Sequence, residues 1–212
     1  MLYETKNKVK TCKMSTKSLV EESVTPFGYW GSDISQIHIV KDFINQEQSQ
    51  IFNNYIRTNE TWNQNQNHEN WIDRVHSIDI FNNLMVKDLA QKITNSIQIE
   101  IEKTLSVKLN PSCPSIIRWK VGNGQTPHAD KQNNDGTPNL YPQNDIASLI
   151  YINDDYEGGE IYFPNQEFKL KPLKNSLVFF PGDINFLHGV TTITEGIRYT
   201  IPNFWKVKQI IK

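Results

Sequence analysis

"HGVTTITEGIRYTIPNFW", residues 188–205, reads as two short strands around a turn. β-branched and aromatic residues dominate it, and Thr194, Glu195 and Gly196 supply the turn chemistry between two runs of strand formers. The spacing predicts a hairpin closed by Ile193 and Ile197, which would set Arg198 opposite Thr192. Arg198 would then lie four ladder positions from His188, a Cα offset of roughly 13 Å at the usual strand rise.

The same texture extends upstream. "SIIRWKV" (115–121), "IASLIYI" (146–152), "EIYF" (160–163) and "NSLVFFP" (175–181) are short strand-like runs separated by clusters of Gly, Pro, Asn and Asp. Many short strands at such intervals indicate a sandwich, jelly roll or barrel. Pro202 cannot donate to a ladder, so an edge or a bulge is expected there. Gly158 and Gly159 are expected to serve a turn, and Asp154, Asp155, Glu160 and Asp183 to be turn and surface carboxylates.

The first half reads differently. "IHIVKDFI" (37–44) is expected to be a strand running into a helix, with Asn45 and Gln48 spaced as a capping box and Ile51, Phe52, Tyr55 and Ile56 on its apolar face. "NETWNQNQNHEN" (59–70) reads as a polar loop and "VHSIDIF" (75–81) as an alternating strand. A helix over roughly 83–105 follows. Its stripe of Val86, Leu89, Ala90, Ile93, Ile97, Ile101 and Leu105 should lie on a sheet, and "NPSCP" (110–114) is expected to stop it. Residues 1–30 are Lys/Ser/Thr/Glu-rich and read as a mobile tail, leaving one domain over 31–212. The fold class is therefore α+β, mainly β, with helices supporting an all-β half.

Net charge narrows the partners. A formal charge of -1 gives no basic footprint for nucleic acid, and no apolar run approaches membrane-spanning length. The lysines near the start lack the apolar segment that a secretory signal has. Two cysteines, Cys12 and Cys113, make neither a disulfide framework nor a Cys-rich zinc site, which suits a reducing, cytoplasmic setting.

"TPHADKQNND" (126–135) carries the chemistry. Strand residues i and i+2 share a face, so His128 and Asp130 can project together. His188 opens a strand later in the β half, whereas His38 and His76 are expected in packing or surface positions and His68 in a loop. Two histidines and one carboxylate leave about three coordination positions open, which suits non-haem Fe(II) better than zinc. Farther along the expected ladder, the Arg198 guanidinium is suited to a carboxylate. A five-carbon dicarboxylate such as 2-oxoglutarate would span metal and guanidinium.

The blocks "RWKVGNGQTPHAD", "SLIYINDDYEGGEIYFP", "LKPLKNSLVFFPGD" and "HGVTTITEGIRYTIPNFW" together resemble Fe(II)/2-oxoglutarate-dependent oxygenases of the prolyl 4-hydroxylase type. The resemblance runs from about residue 37 to Trp205 and implies a double-stranded β-helix (jelly roll) core supported by N-terminal helices. It implies His128, Asp130 and His188 as iron ligands and Arg198 as the partner of the far 2-oxoglutarate carboxylate. Tyr151 and Thr200 match residues that hydrogen-bond that carboxylate. Trp119 stands where relatives have a Tyr and is assigned to the co-substrate site. Gln125, which also replaces a Tyr, is assigned to the substrate side.

The resemblance further implies O2 as co-substrate, ascorbate as a reductant, and a proline-containing protein or peptide as substrate, hydroxylated at C4 with release of succinate and CO2. The competing readings are an oxygenase acting on a free amino acid or other small metabolite, and a non-catalytic jelly-roll binding module. Residues 131–145 are expected to form a flexible loop over the substrate, with Tyr141 gripping it.

Overall fold

A computed structural model describes residue 25, residues 28–59, residue 62 and residues 73–211. The expected tail, all but a few residues of it, and most of the polar loop with His68 lie outside the described residues.

Strand β1 (His38–Val40) leads through Asn45 into α1 (Gln46–Thr58). The capping box is present as expected: the Asn45 side chain accepts from the Gln48 N–H, and the Gln48 side chain accepts from the Asn45 N–H. β2 (Arg74–Val75) is followed by α2 (Ser77–Asn82), which corrects the expected strand over 75–81. In "SIDIF" the apolar residues at 78, 80 and 81 fit a single helical turn as well as a strand.

Helix α3 (Lys87–Leu105) begins four residues later than expected, because Asn83 to Val86 form a turn whose Asn83 carbonyl accepts from Lys87 N. It ends at Ser106, which takes a left-handed φ of 52°, and not at "NPSCP". The chain turns directly into β3 (Val107–Leu109), a strand the sequence reading did not separate from the helix end.

The β half comprises β4 (Ile116–Trp119), β5 (Gln125–His128), β6 (Ile146–Tyr151), β7 (Ile161–Phe163), β8 (Phe168–Leu170), β9 (Leu177–Pro181), β10 (His188–Val190), β11 (Arg198–Trp205) and β12 (Val207–Ile210). Every pairing is antiparallel. A major sheet runs β1-β9-β6-β11-β4-β2, a minor sheet β5-β10-β7-β8, and β12 pairs with β3. This is the expected jelly roll, with helices on one side.

Alternation along the central strands separates two cores. On β11, Tyr199, Ile201 and Trp205 meet the helices, and Ile146 and Ile150 of β6 join them. The same core holds Phe52, Tyr55 and Ile56 of α1 and Ala90, Ile93, Ile97 and Ile101 of α3. The opposite face of the major sheet, with Ala147, Tyr151, Val178 and Phe180, packs against Ile161 and Phe163 of the minor sheet.

The expected 188–205 hairpin does not form. β10 pairs with β5 and β7, whereas β11 pairs with β4 and β6, so residues 191–197 carry the chain from one sheet to the other. Thr191 N donates to Glu160 O, Ile193 N to Asn123 O, and Thr194 N to Glu157 O along that crossing. Gly158 and Gly159 turn beneath it at φ of 70° and 67°. A Cβ on Gly158 would sit 2.0 Å from the Thr192 carbonyl oxygen, so the turn needs glycine.

Pro202 sits in a strand that is central to the sheet, but at a point where β11 is an edge on one side, as expected. β6 pairs with β11 from Thr200 to Trp205, but β4 pairs only from Arg198 to Thr200. The Pro202 carbonyl accepts from Ser115 N, so the missing N–H falls on the side where β4 has already ended. Cys113 is disulfide-bonded, and with two cysteines in the chain this is at most one bridge and no framework.

Candidate active site

His188 and His128 are direct partners across the β10–β5 ladder, with ring centroids 4.4 Å apart. Asp130 lies two residues beyond His128, just past the strand end. Its carboxylate oxygens stand 3.8 Å from His128 Nε2 and 3.7 Å from His188 Nε2. One ligand atom from each residue falls within 4.8 Å of the other two, and among the described residues this is the cluster of metal-ligating side chains.

Each histidine is oriented by its other nitrogen. His128 Nδ1 lies 3.2 Å from the Thr126 carbonyl and His188 Nδ1 lies 3.1 Å from the Phe186 carbonyl. A proton on Nδ1 leaves the Nε2 lone pair aimed at Asp130, the arrangement a metal-binding imidazole needs. Burial first, then the neighbouring His188, pushes His128 down to about 4, and burial pushes His188 down to about 4, so both rings are neutral at pH 7. Burial pushes Asp130 up to about 6. Its Oδ2 is buried without a hydrogen-bond partner among the described residues. A buried carboxylate oxygen facing two imidazole lone pairs is costly unless a cation sits between them. The donor set of two nitrogens and one oxygen fits Fe(II).

The cavity beside the triad is lined mainly by Ile117, Trp119, Leu149, Phe180, Val190 and Phe204, with Arg198 and Thr200 among them. Arg198 is fully buried. Its Nη2 donates to Tyr151 Oη at 3.0 Å, and its Cζ lies 5.3 Å from the Trp119 ring and 5.0 Å from the Tyr151 ring. Nε and Nη1 of Arg198, Oγ1 of Thr200 and Nε1 of Trp119 all lack partners among the described residues. Register explains their convergence: Thr200 is opposite Tyr151 on one side and Ile117 on the other, and Arg198 is opposite Trp119. Buried unsatisfied donors are rare, and four donor atoms around one apolar cavity fit a carboxylate.

Of the other expected residues, Gln125 lies at the start of β5, lines the same cavity, and accepts through its carbonyl from Tyr162 Oη at 3.5 Å. Tyr141 is exposed and lies outside the cavity lining. The flexible loop expected over 131–145 is instead ordered. Asn133 N donates to Thr137 O and the Gln132 side chain to Gly136 O, while Lys131, Gln132, Gln143, Asn144 and Asp145 are buried. His38 stacks on Phe179, as a packing residue should.

Several residues near the site were not picked out from the sequence. Tyr156 is buried against Trp119, Val190 and Ile193, and burial pushes its phenol up to about 12 despite the nearby Arg198 charge. Lys131 and Asp145 form a buried ion pair next to Asp130. Asp183, read as a surface carboxylate, is buried and accepts from Gly28 N and Asn185 N. No spacing or periodicity marks these positions in the sequence.

Residues 114–206 match the 2OG-Fe(II) oxygenase superfamily, and fold and site agree with that match. The matched stretch resembles a domain of the 2OG-Fe(II) oxygenase superfamily, which is named for Fe(II) and 2-oxoglutarate. The chain's fold is prolyl 4-hydroxylase-like. It is similar to the viral collagen prolyl hydroxylase of Paramecium Bursaria Chlorella virus-1, at TM-score 0.57 and 18% identity, over 84% of this chain and 97% of that one. It is also similar to the Trichoplax adhaerens prolyl hydroxylase solved with a hypoxia inducible factor peptide fragment, at TM-score 0.62 and 18% identity, over 82% and 84% of the two chains. In sequence it is 35% identical to human prolyl 3-hydroxylase 3 over 66 residues, 29% of this chain. The match spans only 9% of that protein's length. Among the described residues no helix is long and apolar enough to cross a membrane.

Proposed function

We propose that this protein is an Fe(II)- and 2-oxoglutarate-dependent dioxygenase that hydroxylates prolyl residues at C4 in a protein or peptide. The observation that carries the reading is the pairing of two incomplete polar groups in one cavity. At one end, neutral imidazoles converge with a buried carboxylate oxygen; at the other stands a buried guanidinium with two nitrogens unpaired among the described residues.

In this reading His128, Asp130 and His188 hold the metal on one face. Arg198 binds the far carboxylate of 2-oxoglutarate, with Tyr151 and Thr200 as hydrogen-bonding partners and Trp119 as the wall against the guanidinium. The bound metal supplies O2 activation, in which 2-oxoglutarate, O2 and a C–H bond become succinate, CO2 and an alcohol. The protein's own part is to orient the co-substrate and keep water from the apolar cavity. Of the triad, His128 is the most exposed at 27%, and Thr126 two residues before it is exposed, so that edge of the cavity opens toward solvent. An opening at the residues that would hold the metal supports a polypeptide substrate over a small metabolite enclosed in the barrel.

Gln125 at the cavity edge is assigned to the substrate. Tyr141 would contact a longer peptide at its flanks, from the ordered 131–145 segment. The cytoplasmic placement read from cysteine usage loses its basis with Cys113 disulfide-bonded, and is no part of the proposal.

A second reading, hydroxylation at C3, is favoured by the sequence similarity to the human prolyl 3-hydroxylase. Likenesses of fold to prolyl 4-hydroxylases of Pseudomonas putida and Phytophthora capsici extend over more than 80% of the chain, against 29% for that match, and C4 is kept as the first reading. The deciding experiment incubates the protein with Fe(II), 2-oxoglutarate and a library of proline-containing peptides, follows succinate, and separates 3- from 4-hydroxyproline after hydrolysis. Succinate coupled to 4-hydroxyproline is the expected result; 3-hydroxyproline would move the reaction to the adjacent carbon. Coupling to a free amino acid alone would replace the polypeptide substrate.

A further inference from the structure

The carboxylate of Asp130 has no donor on its Oδ2 among the described residues, so its position is set by its backbone. That backbone is tied on every side. Asp130 N and Lys131 N both donate to the Gly182 carbonyl, at 2.9 and 3.1 Å. The Asp130 carbonyl accepts from the Asn139 side chain at 3.1 Å and the Asn144 side chain at 3.5 Å. The next residue, Lys131, sends its ammonium inward to Asp145 Oδ1 at 2.6 Å. Lys131 is 5% and Asp145 1% exposed.

Asp145 is a junction. Its Oδ1 also accepts from Thr25 Oγ1 at 3.0 Å and its Oδ2 from Val207 N at 2.8 Å. Its own N–H donates to Trp205 O, and its carbonyl accepts from Gly182 N. The pair thus links three points: the segment bearing the metal carboxylate, the entry to β6, and the β11–β12 corner. It also closes a loop of contacts through Gly182, the residue on which Asp130 N rests.

A buried ion pair is a weak source of stability, since desolvation offsets most of its Coulomb energy. What this pair offers is direction: a cation one residue from the ligand, fixed against the rigid central strands. We infer that Lys131 and Asp145 are positioning residues that hold the Asp130 carboxylate at the metal site. This rests on the triad reading above, and it deepens that reading by naming what orients a carboxylate whose buried Oδ2 has no hydrogen-bond partner among the described residues.

The test is Mn(II) binding to the metal-free full chain, followed by the loss of free-Mn(II) EPR signal, with thermal melting beside it. The double variant Lys131→Met/Asp145→Asn leaves the net charge unchanged, so a change in affinity does not come from attraction or repulsion of the ion. It removes both buried charges and keeps an amide oxygen to accept from Val207 N and an amide group to bond the Thr25 hydroxyl, which should restore much of the stability lost when only Lys131 is changed. We expect Mn(II) affinity to fall at least about fivefold in the double variant while its melting temperature returns toward wild type.

A folded double variant that binds Mn(II) within twofold of wild type would overturn the inference, because a merely structural pair predicts that outcome. Asp130→Ala is the control for the underlying reading. If it too binds like wild type, the triad is not the metal site, a failure distinct from that of the brace.

Discussion

Arg198 Nη2 donates to Tyr151 Oη at 3.0 Å across the β11–β6 pair, leaving the rest of a fully buried guanidinium without a partner among the described residues. Such a charge is expensive to bury, so under the proposed function the site trades stability for co-substrate binding. Arg198→Met should therefore leave the ligand-free melting temperature unchanged or raise it. The same change should weaken 2-oxoglutarate binding about 100-fold, the scale of about 3 kcal/mol for a lost charge-assisted contact. Titrating the anaerobic Fe(II) protein and following the visible charge-transfer band checks the second half, and calorimetry of the metal-free protein the first. A large loss of melting temperature would mean that the guanidinium is a structural group.

Gly182 is a contact point for Asp130 and allows no side chain. A Cβ there would lie 2.2 Å from the Asn144 carbonyl oxygen and 3.2 Å from Asp130 Cβ. Gly182→Ala must push the 144–145 backbone away, costing roughly 1–3 kcal/mol as overpacking does. Metal affinity should fall along with stability. Urea unfolding together with Mn(II) titration reads both quantities, and a variant that is destabilised yet binds metal normally would dissociate Gly182 from the site.

Asp183 provides a pH prediction. Burial raises its carboxyl above the usual range, outweighing the hydrogen bonds from Asn185 and Gly28 and the Lys131 charge that lower it. A carboxyl raised in the folded state favours folding most at pH below its unfolded value near 3.8, and that contribution is lost as pH rises through the folded value. Asp183→Asn removes the buried charge but keeps an acceptor for only one of the two N–H groups, since Gly28 N and Asn185 N bond different carboxylate oxygens. The variant's melting temperature relative to wild type should therefore be most favourable at pH 7 and fall as pH falls toward 4. Melting curves across pH 4–7 test the slope; a gain that grows on acidification would reverse the assignment.

The Asn45–Gln48 box closes the start of α1 with two reciprocal bonds of 2.9 Å. Asn45→Ala should cost about 1 kcal/mol, the usual value of such a cap. Metal and 2-oxoglutarate binding should be untouched, since α1 packs on the helix side of the major sheet. Chemical denaturation measures the first and the charge-transfer band the second.

Tyr141 is exposed at 48% and its backbone is held by Asn139 Oδ1. Tyr141→Ala should leave stability and 2-oxoglutarate affinity alone and raise KM only for peptides long enough to reach it. An unchanged KM for a long peptide would remove Tyr141 from the substrate surface.

The sequence made the side-chain faces legible but not the partners of each strand. His128 and Asp130 share a face because a strand has period two, and His188 opens a strand; neither inference needs tertiary knowledge. The 188–205 stretch shows where such reasoning stops. Its turn residues signal a reversal equally well whether the chain returns along the same sheet or crosses to the other. Here Ile193 is buried beneath the crossing against Trp119 and Tyr156, a contact set by the opposite sheet. The "SIDIF" helix was missed for a related reason, as a single turn carries too few apolar positions to separate the two periods. The order of residues 131–145 stayed hidden because polar loop composition says nothing about a lysine folding inward onto an aspartate fourteen residues on.

Strand β11 gives alternate residues to two different tasks: Arg198 and Thr200 to the cavity, Tyr199 and Ile201 to the helix-side core. A slip of one residue along its neighbours would exchange the sets, burying a guanidinium under the helices and placing an isoleucine where a carboxylate should bind. Folding error and catalytic error are then the same event on this strand. On the proposed function, a chain that misaligns it loses its core together with its co-substrate site, so a correctly packed strand is also a correctly built cavity wall.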